Sequence, residues 1–394
     1  MKIAIYNGQI ITPDRIIENG YLLIENGTIT DIGTNFDETV FSGEKINAEG
    51  KYISPGFIDI HVHGGGGGDF MDGTEEAFIM ALKSHAKYGT TAMLPTTASS
   101  PDKELFEVFD IYNGLKDKDY DGAKMLGLHL EGPYLSPLQA GAMDPDKIKY
   151  PIPENYEKIY NASKGAIKRW TAAPELKGCD VFGAFLKEKG ILGSIGHSDA
   201  VYSDVIKAYE NGFEMLTHFY SAMSTVTRVN GYRYPGIIEA GYLIPGMKVE
   251  LIADGCHLPK ELLQLVYNVK GVENIVLVTD SMRASGMPEG EVIIGSLKGG
   301  RIALYEDGVC KLPDRSAFAG SACTADRLIR TMVKLAEVPL YKAVQMLTKN
   351  PAKILNEHKK GAIALSKDAD IVIFDEDINV SMTMVEGKVI YKAQ

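Results

Sequence analysis

Histidines and carboxylates in this chain gather where strands are predicted to end. His61 and His63 stand two residues apart, His129 precedes Glu131 by two, and His197, His218, His257 and Asp280 follow. In a strand, residues i and i+2 point the same way, so His61 and His63 can face one common mouth. Imidazoles with a carboxylate suit a borderline divalent ion such as Zn²⁺ or Fe²⁺, provided one position stays open for water. Water held that way ionises near neutral pH, which is hydrolytic chemistry. Any one of these histidines alone would more often be a satisfied structural residue. Six of the eight at strand ends point to a metal, while His85 and His358 fall outside the pattern.

The elements that must position these residues are legible as alternating strands and amphipathic helices. Short apolar strands are predicted at 57–63, 90–97, 124–131, 169–173, 192–197, 215–220, 249–254 and 275–280. Amphipathic helices fit between them, for example at 74–88, 102–115, 181–189, 201–211 and 258–269. Eight parallel βα units predict an α/β fold, a closed (β/α)₈ TIM barrel, with a doubly wound sheet as the alternative. Such barrels collect their chemistry at the carboxyl ends of the strands, where these histidines fall.

The first fifty residues and the last thirty read differently, as β-rich segments. Asn7-Gly8 and Asn26-Gly27 supply tight turns among strands at 2–6, 8–11, 20–25 and 28–32. Neither end has enough strands to be stable alone, so both termini are expected to form one small β-sandwich. The predicted division is 1–54 with 356–394 for that unit, and 55–355 for the barrel. The glycine run 64–68 has two readings: close approach of backbone to ligands, or a loose βα turn.

A formal net charge of -11 argues against nucleic acid, because binding it needs clustered Lys and Arg to neutralise phosphates. An anionic substrate would therefore need a local cationic pocket. No apolar run approaches the roughly 20 residues that cross a bilayer, so no membrane partner is expected. Met1–Asn7 lacks the features of a signal peptide, and Cys179, Cys256, Cys310 and Cys323 are scattered. Together these predict reduced thiols and a cytoplasmic location.

The motifs also carry a family resemblance. Pro55-Gly56-Phe57-Ile58-Asp59-Ile60-His61-Val62-His63 resembles the opening strand of amidohydrolase-superfamily barrels. Leu128-His129-Leu130-Glu131-Gly132-Pro133, Gly196-His197-Ser198, Thr217-His218, Asp254-Gly255-Cys256-His257, Val278-Thr279-Asp280 and Ala319-Gly320-Ser321-Ala322 resemble the N-acetylglucosamine-6-phosphate deacetylase family. The likeness spans nearly the whole chain. It implies that Glu131, His197 and His218 hold a principal metal, and that His61 and His63 hold a second with Glu131 bridging. One or two ions per chain are thus expected. Asp280 would be general base and then general acid, with His257 beside the scissile carbonyl. Ala142, Ser221, Ala222, Arg233, Phe318, Ala319 and Gly320 would meet the substrate, a phosphorylated N-acetyl amino sugar. Arg233 would grip phosphate across a homodimer interface.

Other superfamily members bridge two metals with a carboxylated lysine after the fourth strand, but Thr171-Ala172-Ala173-Pro174-Glu175 contains none. The chain departs from the family at Ser221, where an Asn is usual, and at Met143, where a His is usual. It also inserts residues between Met223 and Arg233, and carries Arg283 as a further cation. The galacto epimer or an acylated amino acid are therefore alternative substrates. A non-catalytic barrel is the remaining alternative, against which the full ligand set weighs.

Overall fold

The computed structural model describes residues 1–393. Eight parallel strands follow the expected order: β1 (Phe57–Val62), β2 (Thr90–Thr97), β3 (Leu128–Glu131), β4 (Ile167–Ala172), β5 (Leu192–Ile195), β6 (Phe213–Leu216), β7 (Lys248–Leu251) and β8 (Ile275–Leu277). Each pairs with its neighbour from β1 round to β8. Closure uses the segment after β8. The Asp280 N–H donates to the His61 carbonyl at 2.9 Å, and the Ser281 carbonyl accepts from His63 and Gly64 at 2.8 and 2.9 Å. The nearly closed barrel thereby ties Asp280, just after β8, to the histidines at the end of β1.

Both faces of these strands are buried, one by helices and one by the barrel interior, so nearly all of their residues are out of solvent, the polar ones included. Every residue of β1 and β2 is buried. The predicted strand 124–131 is broken in two. Lys124–Met125 and β3 pair separately with β2, and Gly127 between them adopts φ 146°.

Both termini join in one eight-stranded sheet. Its apolar core draws Ile3, Ile5, Leu22 and Ile24 from one end and Ile371, Ile373, Met382 and Met384 from the other. Asn26-Gly27 does separate two paired strands. Asn7-Gly8 does not: Lys2–Ile11 is one strand, and Asn7 at φ 57° marks an irregularity in its register.

Between β8 and the helix Ala325–Lys334 lies an element the sequence reading lacks. Gly290–Ile294, Arg301–Glu306, Val309–Lys311 and Phe318–Ser321 form a four-stranded antiparallel sheet with its own core of Met282, Ala284, Ile294, Ala303, Cys310 and Ala319. A second excursion, the hairpin Thr227–Val229 with Tyr232–Tyr234, is exposed throughout. No helix among the described residues is long and apolar enough to cross a membrane.

Candidate metal centre

The strand ends turn sharply to aim their side chains inward. His197, His218 and Asp280 adopt φ of 49°, 31° and 48°, a left-handed conformation uncommon for residues with a Cβ. Such backbone is kept only where the surroundings enforce it, and it clusters at functional sites.

Two groups of three ligand atoms result: His61, His63 and Asp280, and Glu131, His197 and His218, all buried. In the second, Glu131 Oε1 lies 3.1 Å from His197 Nε2 and 2.9 Å from His218 Nε2, with 3.1 Å between the two nitrogens. In the first, His61 Nε2 is 3.3 Å from His63 Nε2 and 3.4 Å from Asp280 Oδ1, and His63 Nε2 is 3.3 Å from Asp280 Oδ1. Glu131 joins the groups, because its Oε2 lies 3.2 Å from His63 Nε2. Bonds of about 2.0–2.1 Å to a common cation space ligand atoms roughly 3.0–3.4 Å apart. The donor set fits a divalent cation.

The far nitrogens fix the rings. His197 Nδ1 donates to the Gln139 carbonyl (2.8 Å) and His218 Nδ1 to that of Ser221 (3.1 Å), leaving both Nε2 atoms free to ligate. Burial disfavours a charge on His61, yet Asp280, Glu131 and Glu250 hold its pKa well above the ordinary 6.5. His63 is likewise raised to about 9 by Asp280 and Glu131 against the cost of burial. In turn the imidazoles outweigh burial at Glu131 and Asp280 and hold both carboxyls below the usual range. Protons and metal therefore compete for the same nitrogens.

His129 belongs to neither group. Its Nε2 meets Thr171 Oγ1 at 2.8 Å and its Nδ1 meets Thr96 Oγ1 at 3.2 Å, so it is a satisfied buried histidine packed against His61. Burial, then the charges of Arg169 and His61, hold its pKa well below 6.5.

Above the ligands opens a cavity of about 480 Å³. Ala142, Ser221, Ala222, His257, Phe318, Ala319 and Gly320 all line it together with Asp280. Asp254 holds His257 twice, accepting from its backbone N–H and its Nδ1, both at 2.8 Å, which leaves Nε2 for the cavity. Arg233 is not brought to this cavity. It sits on the exposed hairpin and donates to the Gly231 carbonyl of its own turn. Arg283 does not supply a free cation either. Its guanidinium is buried against both oxygens of Asp72 and the carbonyls of Gly67, Ile293 and Gly295.

The sequence reading missed other wall residues. Arg301, on the antiparallel sheet, donates to the Ala142 carbonyl (3.2 Å) and forms no ion pair among the described residues. Asp69 Oδ2, Ser99 Oγ and Ser100 Oγ are buried there without a hydrogen-bond partner among the described residues. No local motif marks any of them.

Fold and site together define a barrel that carries, at the carboxyl ends of its strands, two buried residue groups able to hold a metal ion. The amidohydrolase family model matches residues 52–390, and the chain belongs to that family. It is 34% identical over 351 residues to the N-acetylglucosamine-6-phosphate deacetylase of Lysinibacillus sphaericus, covering 88% of this chain and 87% of that one. It is 28% identical to the N-acetylgalactosamine-6-phosphate deacetylase of Escherichia coli O157:H7, covering 96% and 97%. The crystal structure of N-acetylglucosamine-6-phosphate deacetylase from Pasteurella multocida superposes with a TM-score of 0.90 at 27% identity, covering 100% of both chains.

Proposed function

We propose that this chain removes the acetyl group from N-acetyl-D-glucosamine 6-phosphate, releasing D-glucosamine 6-phosphate and acetate. The observation that carries the reading is Glu131 shared between two donor groups, with Asp280 beside them on the wall of a sugar-sized cavity. Glu131, His197 and His218 would hold one ion, and His61 and His63 a second, Zn²⁺ or Fe²⁺. When bound, such an ion polarises the amide carbonyl and brings water toward ionisation near pH 7.

The chain's own groups then manage the protons. Asp280, on the cavity wall with Oδ1 3.4 and 3.3 Å from His61 and His63, accepts a proton from the attacking water. Oxygen bonds to the acetyl carbon, while His257, fixed by Asp254, lines the cavity beside the acetamide. As the C–N bond breaks, Asp280 returns the proton to the sugar nitrogen. Two cations line this wall, Lys147 and Arg301; Lys147 lies 3.7 Å from Asp144, so Arg301, which forms no ion pair among the described residues, is the one offered to the phosphate.

The same reading assigns the phosphate grip of Arg233 to a partner subunit, in a homodimer. Its support is the hairpin's exposed Val229, Tyr232 and Tyr234. Free thiols at all four cysteines support a cytoplasmic location. The divisions 1–54 with 356–394 and 55–355 are proposed on an apolar core drawn wholly from the two terminal segments. The relative named for the galacto epimer favours that sugar as the second reading.

The test is acetate release by metal-loaded protein from gluco and galacto N-acetylhexosamine 6-phosphates and their unphosphorylated forms. The gluco phosphate is expected to show the highest kcat/KM. Release from none of them would overturn the assignment.

A further inference from the structure

The metal-facing histidines do not all lean on the same kind of acceptor. His197 and His218 give their Nδ1 protons to backbone carbonyls, whereas His61 Nδ1 meets a carboxylate, Oε2 of Glu250, at 3.2 Å. Glu250 lies on β7 with no exposed surface. Its other oxygen pairs with Arg169 on β4, which is equally buried. Arg169 also donates to Ser194 Oγ (2.9 Å), Thr217 Oγ1 (2.9 Å) and the Ile60 carbonyl (3.2 Å). Glu250 Oε2 also accepts the backbone N–H of His218 at 2.9 Å.

Stability alone explains such a pair poorly, because well-packed apolar residues of similar volume usually do as well or better in a buried position. Its location has a different consequence. A carboxylate paired with a guanidinium is an acceptor, so the proton of His61 resides on Nδ1. The lone pair is then left on Nε2, aimed at His63, Asp280 and Glu131. A carboxylate on the far nitrogen also raises the basicity of the ligating one. Backbone carbonyls orient a ring without adding charge, so Glu250 distinguishes the His61 group from the other.

We propose that Glu250, held in place by Arg169, is a positioning residue that selects the ligating tautomer of His61 and so builds the second cation site. The proposal rests on the metal-dependent reading above.

The experiment titrates Zn²⁺ calorimetrically into metal-free full-length protein. It compares wild type, Glu250→Gln, and the double variant Arg169→Gln with Glu250→Gln, which leaves no buried guanidinium unpaired if the single variant fails to fold. Wild type is expected to bind two equivalents. In the folded variants one equivalent keeps its affinity and the other weakens about 10–100-fold. A merely structural pair would instead lower the metal-free Tm and leave both affinities of the folded protein intact. Two full-strength equivalents in the variants would overturn this proposal alone, as would equal weakening of both. Wild type that binds one equivalent would overturn it too, and wild type that binds none would overturn the metal reading itself.

Discussion

Asp280 is set apart from the ligand histidines by what replacing it would leave behind. An Asn there keeps the shape but cannot take a proton from water, and proton transfer of this kind is worth about 10²–10⁴-fold. Asp280→Asn should lose at least that much kcat while the Glu131, His197 and His218 group keeps its ion, read as turnover and metal content on one sample. Arg301 acts on binding instead. Losing a charge-assisted contact to phosphate costs about 1.5–3 kcal/mol, so Arg301→Ala should raise KM for the phosphorylated sugar roughly tenfold or more. Unphosphorylated sugar should be unaffected, and an equal rise for both would remove Arg301 from the phosphate. The ligand residues were legible because strand periodicity and strand ends leave a mark in sequence. Arg301, Asp69 and Ser100 were not, because only tertiary folding carries them to the cavity wall.

Elements show a similar split. The glycine run, ambiguous as sequence, folds into a tight buried hairpin of Gly64–Gly65 with Gly68–Asp69. A Cβ on Gly64 would lie 2.2 Å from the Gly68 carbonyl oxygen, so close backbone approach is its purpose. The four-stranded sheet escaped notice because its strands are short and half exposed, leaving no strong period. Arg283 looked like a site cation, yet it pins that sheet to Asp72 and the glycine hairpin. Lys270, ending the helix Lys260–Lys270, serves another join by donating to the carbonyls of Gly241 (2.6 Å) and Ile244 (3.0 Å). Burial, and then the charge of Lys248, bring its pKa from 10.5 down to about 8. The unfolded chain therefore binds more protons than the folded one between those values, and the Lys270 contribution to stability rises with pH across that window. Urea unfolding of wild type and Lys270→Met from pH 7.5 to 10 should show the wild type gaining on the variant. A constant difference would contradict the assigned shift.

At the scale of the whole molecule, a net charge of -11 repels an anionic substrate from a distance, so recognition must come from cations at the cavity itself. Arg233 lies outside that cavity in its own chain, on an exposed hairpin bearing Val229, Tyr232 and Tyr234. If it grips phosphate, it must do so in a second copy, and a two-fold dimer would place each hairpin over the other's barrel mouth. Asp280→Asn chains lack the base but keep Arg233, while Arg233→Ala chains lack the grip but keep the base. In a mixed dimer, the site built on the Arg233→Ala barrel receives an intact Arg233 from its partner and is complete. Equal mixing with free exchange makes about half the dimers mixed, each with one complete site, or about a quarter of all sites. At substrate concentrations where either variant alone is nearly inactive, the mixture should recover roughly that fraction of wild-type rate. Recovery should appear only after subunits have had time to exchange. A mixture no more active than the mean of its parents would mean that Arg233 does not serve a partner's site.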